Sequence, residues 1–95
     1  MELYIQTLSG IRRVEGYKLP NGLGVHKSLV DKKTWVIVDY ESGLYIKKDI
    51  KNLSQCYTYA RMKTDVDKIN KVRQSQRYKN YRQEMKDWKK KNIDN

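Results

Sequence analysis

Trp35-Val36-Ile37-Val38-Asp39-Tyr40-Glu41-Ser42-Gly43-Leu44-Tyr45-Ile46 is the stretch whose reading decides the fold. Residues Trp35 to Tyr40 are rich in β-branched and aromatic side chains, the composition that fits a pleated, packed strand. Glu41-Ser42-Gly43 then makes a tight connection, with Gly43 placed where positive φ is wanted, into a second run, Leu44-Tyr45-Ile46. The stretch therefore predicts an antiparallel hairpin. Working outward, Leu3 and Ile5 alternate with Tyr4 and Gln6 as a first strand, and Gly22 to Lys27 reads as another after the Pro20-Asn21-Gly22 turn signal. Ile11 to Leu19, interrupted by Arg12, Arg13 and Glu15, is expected to be at most an irregular strand.

From Asp49 onward the chain holds no Gly or Pro and helix formers dominate, so helix is expected there, capped by Asp49 or Asn52. Leu53, Cys56, Tyr57 and Ala60 recur at the spacing of one helix face and should cover the sheet. Thr64, with Asp65 and Asp67 suited to a helix N-terminus, offers a second start, and the sequence leaves open whether the chain bends there or runs on as one helix. The prediction is an α+β fold in one domain, 1–95. Residues 1–48 form a small antiparallel β-sheet, and residues 49–95 form a helix followed by a long basic helix whose tail, from Lys89 to Asn95, frays.

The 95 residues carry 21 Lys and Arg against 11 Asp and Glu, a formal charge of +10. Residues 1–50 hold eight cations and six acids, and residues 51–95 hold thirteen and five, so the excess is C-terminal. A basic surface of this kind points to an anionic partner. Placed on one helix from 66 to 91, Lys68, Lys71, Lys79, Arg82, Lys86, Lys89 and Lys90 fall within an arc of roughly 100°. No acid shares that arc. It spans about 33 Å, enough to follow several phosphates. Val66, Ile69, Tyr78, Tyr81, Met85 and Trp88 take most of the opposite side, and Arg73 to Arg77 interrupt the apolar stripe. A solvated face alternates Glu with Lys, so a one-signed arc favours binding, with Arg73 and Arg77 as further contacts. The aromatic side chains at helical spacing are expected to pack, and the apolar face leaves a homodimer open.

Signals for catalysis are few. His26 stands alone and reads as a structural hydrogen-bonding residue, while Asp39 and Glu41 lack the further ligands or phosphate loop that a site would need. A single cysteine excludes an intramolecular disulfide, and Cys56 reads as a core residue. No motif calls for a metal or cofactor. No apolar run is long enough to span a bilayer, and the start lacks a secretory pattern, so a cytoplasmic protein without membrane contact is expected.

The segments Gly24 to Lys27, Thr34 to Asp39 and Ser42 to Ile46, with the lysine-rich composition, resemble small basic phage and mobile-element proteins, anti-CRISPR proteins among them. That resemblance implies an accessory protein that acts by binding, in the host cytoplasm if phage-encoded. The expectation is a non-enzymatic protein that binds nucleic acid, RNA before DNA because no sequence-reading motif is evident. The alternative is an anti-CRISPR-type inhibitor that docks on a host nucleoprotein complex.

Overall fold

The computed structural model describes residues 1–93 and shows the α+β fold. Five strands, β1 (Glu2–Thr7), β2 (Gly10–Leu19), β3 (Leu23–Lys27), β4 (Trp35–Asp39) and β5 (Tyr45–Ile50), pair antiparallel in sequence order. Three helices follow among the described residues: α1 (Leu53–Arg61), α2 (Lys63–Arg73) and α3 (Gln76–Asn92).

The unbroken apolar run in β4 is explained by burial on both faces of the sheet. Ile37 packs on one face with Leu19, Leu23, Val25 and Ile50, beneath Cys56 and Ala60 of α1 and Ile69 of α2. Val36 and Val38 lie on the other face, which β1 itself covers: Leu3 and Ile5 cluster with Val38. This second layer requires β2 to serve two partners. Its first half pairs with β1 and its second half, from Gly16, pairs with β3. A side chain at Gly16 would run into Leu3 and the Val25 carbonyl. β1 then reaches the β4–β5 turn, where Gln6 N donates to Gly43 O at 3.0 Å and Gln6 Nε2 to Ser42 O at 3.2 Å.

Several boundaries differ from the sequence reading. Ile11 to Leu19 belongs to a regular ten-residue strand, Gly10–Leu19, rather than an irregular one, because its polar residues are exposed while the ladder to β1 holds the backbone. β3 starts at Leu23, after a 3₁₀ turn over Pro20–Gly22. Helix does not begin at Asp49: pairing with β4 carries β5 to Ile50, with Asp49 in the left-handed region at φ 61°. Asn52 provides the cap, its side chain accepting from Gln55 N at 2.9 Å. The second helix begins at Lys63, after an extended Met62, and not at Thr64. The helix assumed from 66 to 91 is two helices. Ser75 adopts φ −70°, ψ 153° and its Oγ accepts from Tyr78 N, so one helix stops and another starts within the polar interruption. Helix continues through Asn92, so Lys89 to Asn92 are not frayed, and residues 94 and 95 of the expected tail lie outside the described residues.

α3 lies against the turn that β1 touches. Met85 is buried, and Gly43, at φ 75°, leaves no room for a side chain: a Cβ would sit 2.6 Å from Tyr4 O and 2.7 Å from Met85 Cε. Gly43→Ala should therefore cost roughly 2–5 kcal/mol, from left-handed backbone and overlap together. Gly10, at φ 109°, has nothing within 4 Å of the same position, so Gly10→Ala should lose only the backbone part. Calorimetry of the two variants checks this, with Gly43→Ala expected to lower Tm at least twice as far.

Candidate nucleic-acid interface

On α3, Lys79, Arg82, Lys86, Lys89 and Lys90 fall on one arc at about 100° per residue, beside the face that buries Tyr78 and Met85. Lys79, Lys86 and Lys90 are exposed in the middle and outer part of the arc, and Arg82 and Lys89 flank the packed face. Glu84 and Asp87 fall outside it, on the flank that also carries Arg77, which is exposed and lies 5.8 Å from the Tyr81 ring. Arg77 is therefore not part of the one-signed surface. Lys68 and Lys71 are exposed on α2, beyond the break at Ser75, so the single 33 Å arc does not exist as one helical surface.

Two of the α3 cations are engaged by the sheet. Arg82 Nη1 lies 3.9 Å from Glu41, and its guanidinium is 5.6 Å from the Tyr78 ring. Lys89 Nζ lies 5.1 Å from the Tyr4 ring and 5.8 Å from the Tyr40 ring, and Lys18 Nζ of β2 lies 5.0 Å from that same Tyr40 ring. Trp88 stacks at a tilt on Tyr4, with centroids 5.5 Å apart. The fold thus extends the basic surface from α3 to Lys18 and interleaves it with tyrosines. No sequence period links positions 4, 18, 40 and 89, because they come from β1, β2, the end of β4 and α3.

Arg73 has a different role from the one its sequence position suggested. Its Nε donates to Asp39 at 2.9 Å, Nη1 to Asn70 at 3.0 Å, and Nη2 to the Asn21 and Gly22 carbonyls at 2.8 and 3.0 Å. Asp39, 1% exposed, also accepts from Ser42 N and Oγ and from the Tyr78 hydroxyl. Arg73 is thus a staple between α2, the 3₁₀ turn and β4, along the wall of a polar cleft of about 420 Å³. Asp39 and Glu41 share that cleft, but the lone pairs of Asp39 are occupied by its partners. Cys56 is buried in the main core cluster.

Arg73→Met leaves the Asp39 carboxylate buried without its cation, and should cost about 3–5 kcal/mol. The double variant Asp39→Asn/Arg73→Met should be destabilised less than Arg73→Met alone, and urea unfolding measures both. Burial, reinforced by the Asp39 charge, pushes the Tyr78 phenol well above the ordinary tyrosine range. The unfolded chain ionises this phenol near pH 10, so above that pH the folded state holds the extra proton and stability falls as pH rises. Tyr78→Phe removes this loss. Its stability relative to the unmodified protein should therefore improve between about pH 9 and 11, because Tyr59 and Cys56, raised by burial in the same direction, are common to both proteins.

No protein-family model, no curated protein and no solved structure matches the chain.

Proposed function

We propose that this protein is a non-enzymatic binder of nucleic acid, RNA before DNA, and that it holds the phosphate backbone on α3. The observation that carries the reading is the exposed row Lys79, Lys86 and Lys90 on an acid-free arc, continued through Lys89 to Lys18 at Tyr40. Two ammonium groups gathered at one tyrosine ring repel each other, and an anion placed between them relieves that repulsion. The lysines of the last turn also favour the helix C-terminus electrostatically, at about 0.3–1 kcal/mol each, but that effect is confined to the last turn and does not account for Lys79 or Lys86. Aromatic rings among the cations suit single-stranded or irregular RNA. No metal or cofactor enters this activity. Among the described residues no helix is long and apolar enough to cross a membrane.

The same cations would serve an inhibitor that docks on a host nucleoprotein complex, as anti-CRISPR proteins do. Leu29 and Val30, adjacent and exposed beside one cavity, favour that second reading, because contiguous exposed apolar surface marks protein contacts. A pull-down from host lysate with and without nuclease separates the two: a protein retained after nuclease supports docking, and loss of every partner supports direct nucleic-acid binding.

Lys79→Gln/Lys86→Gln/Lys90→Gln should lower the slope of log affinity against log salt by about 2 on single-stranded RNA, at about 0.7 per phosphate contact. Each change should alter stability by about 0.5 kcal/mol or less. Arg77→Gln should leave the slope unchanged. Fluorescence anisotropy across a salt series measures both variants, and an unaltered slope in a folded triple variant refutes the reading.

A further inference from the structure

A second surface has different chemistry. Between the end of β1, the loop 28–34 and β5 lies a cavity of about 430 Å³, and among the described residues no helix contributes to its wall. Ile5, Val36 and Val38 form its apolar floor, and Leu29 and Val30 stand at its mouth. Val30 is 95% exposed, yet the loop that carries it is firmly tied. Val30 N donates to Ser28 Oγ, while the Asp31 carboxylate accepts from Lys33 N, Thr34 N and Thr34 Oγ1. An aliphatic side chain held out in water on a preorganised loop loses little further entropy on meeting a partner.

His26 lines the same cavity and is 3% exposed. Its Nδ1 lies 2.7 Å from the Lys27 carbonyl oxygen. A carbonyl only accepts, so Nδ1 carries the proton and Nε2 presents a lone pair. Burial lowers the pKa of the imidazole and keeps it neutral, against a smaller opposing effect of the Lys27 bond. No other described group is hydrogen-bonded to the ring. Among the described residues no fully occluded side-chain nitrogen or oxygen lacks a partner, so Nε2 is not sealed off, and His26 is a lining residue of the cavity.

An apolar slot with one fixed acceptor fits a planar apolar group that carries one donor. The charged residues that line it are Lys48, Asp31 and Asp49, so there is no cationic excess to hold a phosphate, in contrast to α3. That balance favours a protein side chain over a nucleobase. We infer that this cavity receives a tryptophan or tyrosine side chain of a protein partner, whose N–H or O–H donates to His26 Nε2. Such side chains are the common anchors of protein interfaces, where they fill preformed pockets. The inference stands independently of the nucleic-acid reading, since the two surfaces use different residues.

The test is an NMR titration of methyl groups with 3-methylindole, and with 1,3-dimethylindole, which lacks the N–H. Saturable shifts at Ile5, Val36 and Val38 are expected with a Kd of order 1 mM for so small a probe. The dimethyl compound should bind about 2- to 10-fold more weakly, the usual worth of one hydrogen bond. In His26→Phe the two compounds should bind alike. Val30→Asp, which touches no core residue, should weaken both and keeps the test decisive where His26→Phe fails to fold. Absence of saturable shifts, equal binding of the two indoles to the unmodified protein, unaltered binding by Val30→Asp, or tighter binding of adenosine or uridine than of 3-methylindole would each overturn the inference.

Discussion

The Asp39 carboxylate is the point on which the two halves of the molecule depend. It ends the face of β4 on which Ile37 is fully buried, so the strand passes from hydrocarbon to a charge that water does not reach. Such a charge is tolerated only with a close cation and with its remaining lone pairs occupied. Arg73 provides the cation, Ser42 occupies the second oxygen, and Tyr78 adds a donor from α3. A lysine could neutralise the charge but could not replace the arginine, because a single guanidinium also reaches Asn70 and the two carbonyls of the 3₁₀ turn. The placement of α3 over the β4–β5 turn, and with it the direction in which its lysines face, follows from this contact and from the fit of Met85 against Gly43.

The sheet was legible because its signals are local. Alternation in β1, the apolar run of β4 and the position of Gly43 each report on a few adjacent residues, and Asn52 sits at a helix start for the same local reason. The closure by β1 was not legible, since it rests on Leu3 meeting Gly16 and Gly24 across strands. The basic arc of α3 was readable as periodicity, but its continuation backward into α2 was not, because periodicity assumes a continuous helix and cannot register the extended backbone at Ser75. Arg73 shows the limit most clearly. By composition it was one more cation in a basic segment, and only the fold reveals an acid 34 positions earlier that consumes it. Lys18 and Tyr40 were missed for the converse reason, as ordinary strand residues that tertiary structure brings to Lys89.

β1 connects the two surfaces through the alternation of its side chains. Tyr4 meets Trp88 and Lys89 on the α3 side, while Ile5, the next residue, forms part of the cavity floor. Adjacent residues of a strand point to opposite faces, so one short element supports a cationic surface on one side and an apolar cavity on the other. Neither surface uses the buried Asp39 pair or the main core directly. Charge on α3 and shape in the cavity can therefore be altered separately, with the scaffold between them left intact.

The order of pairing also bears on how the chain is made. Each strand closes against its neighbour in sequence, so the hairpins need only short loops and can form early, at small entropic cost. The cover for their outer face comes later in the chain. During synthesis at about 5–20 residues per second, a nascent sheet would wait roughly 1–5 s between the appearance of Ile50 and that of Arg73. Leu19, Leu23, Val25 and Ile37 face solvent until α1 and α2 arrive, and Asp39 is without its cation for the whole interval, which makes the half-made protein the form most exposed to aggregation and to chaperone capture.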